Sequence, residues 1–174
     1  MGSFALWSFG QLFIHNPASS RELMHSWQNI SSLGWTSLSS FALWFFLIFT
    51  QKNKILRWRP FYFFLFAVPG LFIYKQWSGA LILGGIRQPY GWGIVWADSP
   101  WPYLFLAYLS SVMAISLSIF IAFCRRTLDP VKKKQAQIIL LPSYIALLVA
   151  AWMAWRGFGP RSRFWRGQNI IRYP

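Results

Sequence analysis

The chain is poor in acid, in histidine and in cysteine, and poor in charge altogether. Its 174 residues include 3 Asp or Glu, 2 His and 1 Cys, and charged residues make up 11% of the whole. Each shortage excludes something. One cysteine, Cys124, rules out an internal disulfide framework and any cysteine cluster for a metal or an iron–sulfur centre. So few acids and histidines leave almost nothing for general acid–base work. A soluble domain carries about 25% charged residues, so 11% is too little to dress a surface facing water. What the chain has instead is 56% hydrophobic and 21% aromatic residues, 12 of them tryptophan, and 17 Lys or Arg against the 3 acids. That is the composition of an integral membrane protein. A span needs about 20 residues to cross about 30 Å of hydrocarbon, so a chain of this length supplies about four to six.

Stretches free of Asp, Glu, Lys and Arg mark the spans. Helix A is read over Met1 to Asn16, closed by Pro17, and is short for a span. Helix B lies within Leu23 to Gln51, and helix C over Pro60 to Tyr74, with Pro69 inside it. Trp77 to Trp101 is rich in glycine and aromatics and reads as an irregular interfacial loop. Asp98 or Ser99 then caps helix D, which runs to Cys124, and Asp129 with Pro130 repeats that start for helix E, expected to continue to Ala154 with a bend at Pro142. The expected fold is all-α and integral to the membrane, a bundle of about five transmembrane helices over residues 1–155 followed by a basic Arg/Trp-rich tail over 156–174. No basic residue precedes the first apolar run and no small-residue cleavage site follows it, so the amino terminus is not read as a cleavable signal.

Basic residues in short loops stay on the cytoplasmic side. Lys52, Lys54, Arg57 and Arg59 lie between B and C, and Arg125, Arg126, Lys132, Lys133 and Lys134 between D and E. Loops 51–59 and 125–134 are therefore expected to be cytoplasmic, in a bacterial inner membrane, with loop 75–98 and the tail opposite. The tail contradicts its own charge, because it carries Arg156, Arg161, Arg163, Arg166 and Arg172. Short basic runs between apolar stretches point to anionic lipid as partner, not to nucleic acid.

Helices in lipid associate where small residues let backbones approach. Ser32, Thr36 and Ser40 on B, Ser110, Ala114, Ser118 and Ala122 on D, and Ala146, Ala150 and Ala154 on E form such ladders at four-residue spacing. They fit packing of D and E against each other or against B; the alternative is the ordinary abundance of small residues in membrane helices. Asp98 and Asp129 are read as helix caps, and Arg21 with Glu22 as a solvated pair. The midplane offers only Pro69 and Pro142 as irregularities, which disfavours transport. His15 and His25 are the only candidates to ligate a haem or chlorophyll, against the plainer reading of interfacial histidines bonded to water or headgroup. No other cofactor is expected beyond bound lipid. Most of the tryptophans suit an interfacial belt, while Trp77, Trp92, Trp96 and Trp101 on one loop could instead meet a partner or a pigment.

The segments ALWSFG at Ala5 to Gly10, LGW at Leu33 to Trp35, FFLIFTQKNKIL at Phe45 to Leu56, YGW at Tyr90 to Trp92 and VKKKQAQIIL at Val131 to Leu140 resemble the amino-terminal seven-helix membrane region of bacterial histidine kinases and related signalling proteins. The resemblance spans residues 4 to 150 and implies an input module whose enzyme lies elsewhere. It matches helices A to E to the family's second to sixth helices, in agreement with the orientation from charge. It also implies that most of the first helix, the seventh helix, the phosphoacceptor domain and the ATP-binding domain are missing here, so no kinase activity is expected.

Three functions follow. The first is a non-enzymatic accessory subunit of a larger membrane complex, packed against other integral membrane subunits and clamped by the outer tryptophans and by Arg161, Arg163 and Arg166. The alternatives are a sensory input module signalling through a separate kinase, and a pigment- or haem-binding electron-transfer subunit.

Overall fold

The computed structural model describes residues 2–88 and 91–140. The chain divides into two compact units, 1–119 and 120–174. The first holds α1 (Gly2–Ile14), α2 (Arg21–Phe49), the short α3 (Asn53–Leu56), α4 (Arg59–Trp77), β1 (Ile82–Gln88), β2 (Gly91–Trp96) and most of α5 (Trp101–Arg126). Among the described residues, α2 and α5 are long and apolar enough to cross a membrane. The chain is thus mostly helical, and its apolar helices are those of a multi-pass membrane protein.

α2 starts where the sequence can satisfy its free amides. Ser20 is the N-cap, and its hydroxyl accepts from Leu23 N at 3.2 Å. Arg21 and Glu22 form no ion pair with each other; both lie exposed in the first turn of α2. α1, with 13 residues, reaches only about 20 Å, short of the hydrocarbon thickness. It lies against α2 at two glycines. A Cβ on Gly10 would come within 2.5 Å of Ser31 Cβ, and one on Gly34 would run into the Ser3 carbonyl oxygen and Trp7. Phe13 stacks on Trp27 at 4.3 Å with planes 6° apart, and Phe9 meets the same indole edge-on at 5.4 Å. Close backbone approach at small residues, locked by aromatic contact, is how helices associate where no water is available to drive them together.

α4 begins with Pro60 in its first turn and continues through Pro69. Neighbouring helices and local adjustment re-satisfy the bonds a proline removes from a membrane helix. It extends three residues past the uncharged stretch, to Trp77, taking Lys75 into its last turn. There the ammonium sits 4.3 Å from the Trp101 ring centre and favours the helix carboxyl end.

The segment expected as an irregular loop is instead an antiparallel hairpin, so the fold is not all-α. Register runs from Ile82 opposite Trp96 to Gln88 opposite Gly91, with an irregularity between Ile82 and Gly84. Unpaired amides and carbonyls are costly beside a bilayer, and a hairpin pairs them where a loop leaves them open. Its open end is closed by Ala97 N donating to Leu81 O at 2.9 Å and by Ser99 Oγ donating to Ala80 O at 2.7 Å. Ser99, expected as a cap of α5, thus bridges back to the hairpin. Leu81 and Ile82 join Phe72 of α4 and Phe105 of α5 in the main core cluster, with Trp35, Trp96 and Trp101 against it.

The far end of the hairpin clasps the turn between α1 and α2. Trp92 is 8% exposed, and its Nε1 donates to Ser19 O at 3.1 Å. The Arg87 guanidinium donates to Pro17 O at 3.0 Å. Gly91 has φ +122°, and a Cβ there would fall 2.6 Å from the His15 carbonyl carbon and oxygen, so both the conformation and the close approach require glycine. Trp92 packs with Ile14 and Met24 in a second small core.

In the second unit, α5 ends at Arg125 and Arg126, and residues 130–140 are helical. Asp129 Oδ1 accepts from Val131 N at 2.9 Å and Lys132 N at 3.3 Å, the capping role read from the sequence. Pro142, the Ala146, Ala150 and Ala154 ladder, and the tail with Arg161, Arg163 and Arg166 lie outside the described residues.

Candidate functional site

α2 carries an unusual density of hydroxyl and amide side chains for an apolar span, and it turns them inward. Gln28, Ser31, Ser32, Thr36, Ser39 and Ser40 are all buried, while Leu23, Ile30, Leu33, Phe45 and Ile48 are exposed. Most of the hydroxyls are satisfied on their own helix. Ser31 donates to Gln28 O at 3.1 Å, Ser32 to Asn29 O at 2.6 Å and Thr36 to Ser32 O at 2.5 Å. Ser40 reaches across to Tyr108 of α5, with 2.6 Å between the hydroxyl oxygens.

Beside these lies a seam that is not satisfied. Gln28, Ser32, Trp35 and Ser39 follow one another at four-, three- and four-residue steps and so line one face of α2. The Gln28 Oε1, Trp35 Nε1 and Ser39 Oγ atoms are buried with no hydrogen-bond partner among the described residues. Gln76 of α4 adds a fourth, its Oε1, although its amide nitrogen donates to Asn29 Oδ1 at 3.3 Å. Gln28, Gln76 and Ser39 are 3%, 1% and 0% exposed. Each buried polar atom left unpaired costs roughly 1–3 kcal/mol. Asn29 links the seam to the surface. Its side chain lies 3.4 Å from Nδ1 of the exposed His25, and its carbonyl accepts from Trp77 Nε1 at 3.1 Å. No formally charged side chain belongs to the seam.

The outer tryptophans are used within the chain to different degrees. Trp92 is buried in the clasp, Trp96 and Trp101 lie half-buried against the main core, and Trp77 is exposed and bonded to Asn29. His15 and His25 are both exposed, and among the described residues no three His, Cys, Asp or Glu side chains come together as a metal site would need. Ser110, Ala114, Ser118 and Ala122 are all exposed; α5 meets the rest of its unit through Phe105 and Tyr108. Reading charges alone passed over Gln28, Asn29, Trp35, Ser39 and Gln76. The signal that could have found them is an amide pair, Gln28 and Asn29, inside an uncharged span.

A family model described as the N-terminal 7TM region of histidine kinase matches residues 1–164. No curated protein and no solved structure matches the chain.

Proposed function

We propose, for a chain that belongs to the family of N-terminal 7TM regions of histidine kinases, that it is a sensory input module whose state is read by a kinase carried on another chain. The single observation that carries this reading is the family match over residues 1–164. The family's region is a non-catalytic membrane input; transmission to a separate kinase is our extension of it. The accessory-subunit reading has no observation of its own to favour it, and the arginines invoked for its clamp lie outside the described residues.

The same reading places the molecule in a bacterial inner membrane with loops 51–59 and 125–134 on the cytoplasmic side, near anionic headgroups, and loop 75–98 opposite, on the strength of their lysines and arginines. In a Cys124→Ser background, Lys54→Cys and Lys133→Cys should react with an impermeant maleimide only after the membrane is opened, and Ser78→Cys without opening. The reverse pattern overturns the orientation.

The function is tested in membrane vesicles from cells with and without the chain, incubated with labelled ATP. A change in phosphohistidine on a co-resident kinase is the expected result. Identical labelling in both preparations would rule out the input-module reading.

A further inference from the structure

We infer that His25 is a proton-binding site whose charge state is relayed through Asn29 to Gln76, at the contact between α2 and α4. The inference rests on the input-module reading for its purpose, since it names the proton as what the module senses; its chemistry comes from three side chains. Asn29 Nδ2 lies 3.4 Å from His25 Nδ1, and Asn29 Oδ1 accepts from Gln76 Nε2 at 3.3 Å. In that arrangement an amide N–H faces Nδ1, so the neutral ring accepts there and carries its own proton on Nε2. At the far end Gln76 Oε1 is buried and has no donor among the described residues.

A proton added at Nδ1 sets two donors against each other, and the contact cannot persist as it stands. Reversal of both amides restores the chain. The imidazolium N–H then donates to Asn29 Oδ1, Asn29 Nδ2 donates to Gln76 Oε1, and Gln76 Nε2 takes the place of its own oxygen. The oxygen and nitrogen ends of an amide are close in size, so the reversal asks for no cavity. It exchanges one unpaired Gln76 atom for the other, which keeps the two arrangements close in energy and lets a single charge decide between them. The two ends suit their parts. His25 is exposed, so protons reach it, whereas Gln76 is 1% exposed and water cannot take over its bond. Asn29 lies half-buried between them, its backbone held by the bond from Trp77 Nε1 while its side chain is free to turn. The other groups at this end that carry charge or titrate near neutral pH are Arg21 and Glu22 on α2, Lys75 on α4, Arg87 on β1, His15 after α1 and Asp98 before α5. Lys75 lies over the Trp101 ring and Arg87 donates to Pro17 O, and among the described residues none of the six bonds or pairs with His25.

The test uses the full chain in lipid nanodiscs with ¹⁵N-labelled Asn, Gln and His, titrated across about pH 8 to pH 5, where histidine gains its charge. The Gln76 side-chain amide is assigned by its loss in Gln76→Met. The expected result is a shift of that amide with the same midpoint as the His25 ring, undone on return to the starting pH. His25→Gln should abolish it, while His15→Gln and Glu22→Gln leave it in place. Asn29→Ala should let His25 titrate and silence Gln76, which separates a relay from a general loosening of this end. A Gln76 amide that stays flat while His25 titrates, as it would if the charged ring simply turned to water, overturns the inference. So does a shift that survives His25→Gln or Asn29→Ala, or chain-dependent kinase labelling that responds to pH alike with and without His25. A Gln76 shift in a chain that leaves kinase labelling unaltered at every pH would sink the input-module reading and leave the relay standing; chain-dependent labelling with a flat Gln76 would do the opposite.

Discussion

Among the described residues, α2 and α5 are the two helices long and apolar enough to cross a bilayer, and they place their small-residue ladders differently. α2 buries its ladder of Ser32, Thr36 and Ser40 together with Met24, Phe46 and Leu47, and shows Leu23, Ile30, Leu33, Phe45 and Ile48 outside. α5 buries Phe105 and Leu117 and leaves its small ladder, Ser110, Ala114 and Ser118, exposed beside Tyr103, Leu104 and Ile115. Both helices leave large apolar side chains exposed, which suits lipid, because hydrocarbon does not drive apolar groups inward and packing depends on how closely backbones can approach. α2 receives α1 at Gly10 and Gly34 and needs small inward side chains; α5 is held through bulky rings and has no such need on its ladder side.

The largest expected effect comes from filling the α1–α2 contact. Gly34→Leu places a side chain where the Ser3 carbonyl and Trp7 already lie, and should destabilise the folded state by about 3 kcal/mol or more, read as a lower unfolding midpoint in detergent mixtures. Ser32→Leu, at a position with no exposure, should cost about 1–3 kcal/mol by the same measurement. The bond between the two helices is worth less. A double-mutant cycle of Ser40→Ala with Tyr108→Phe should return a coupling of about 1 kcal/mol. The smallest effect belongs to the opposite ladder. Ser118→Leu, the same chemical change as at Ser32 but on an exposed position, should stay within about 0.5 kcal/mol in the isolated chain. If Ser32→Leu and Ser118→Leu cost alike, the contrast between the two helices is false.

The spans were legible in the sequence and the seam was not, for physical reasons. Absence of charge located α2, α4 and α5 to within a few residues, because a bilayer penalises charge at every depth of its core. Asp129 with Pro130 announced a helix start that the backbone bears out. The hairpin was hidden because Leu81, Ile82 and Leu83 run straight into Gly84 and Gly85, with no strict alternation to separate strand from loop. What reveals it is pairing, and pairing is not local. The seam was hidden twice over. Gln28 and Ser39 look like unremarkable polar positions until burial is known, and Gln76 meets Asn29 across 47 positions of chain. The outer tryptophans were conspicuous by number, but only the fold distinguishes Trp92, sealed into the clasp, from Trp77, which stays open.

The clasp also bears on how the molecule is made. Its two bonds join Arg87 to Pro17 and Trp92 to Ser19, separations of 70 and 73 positions, so the turn after α1 has nothing to hold until α2, α4 and the hairpin have been synthesised. Insertion of α2 and α4 comes first and the latch shuts afterwards. A chain interrupted before Arg87 carries every residue of the first helical pair and still lacks both bonds of the clasp.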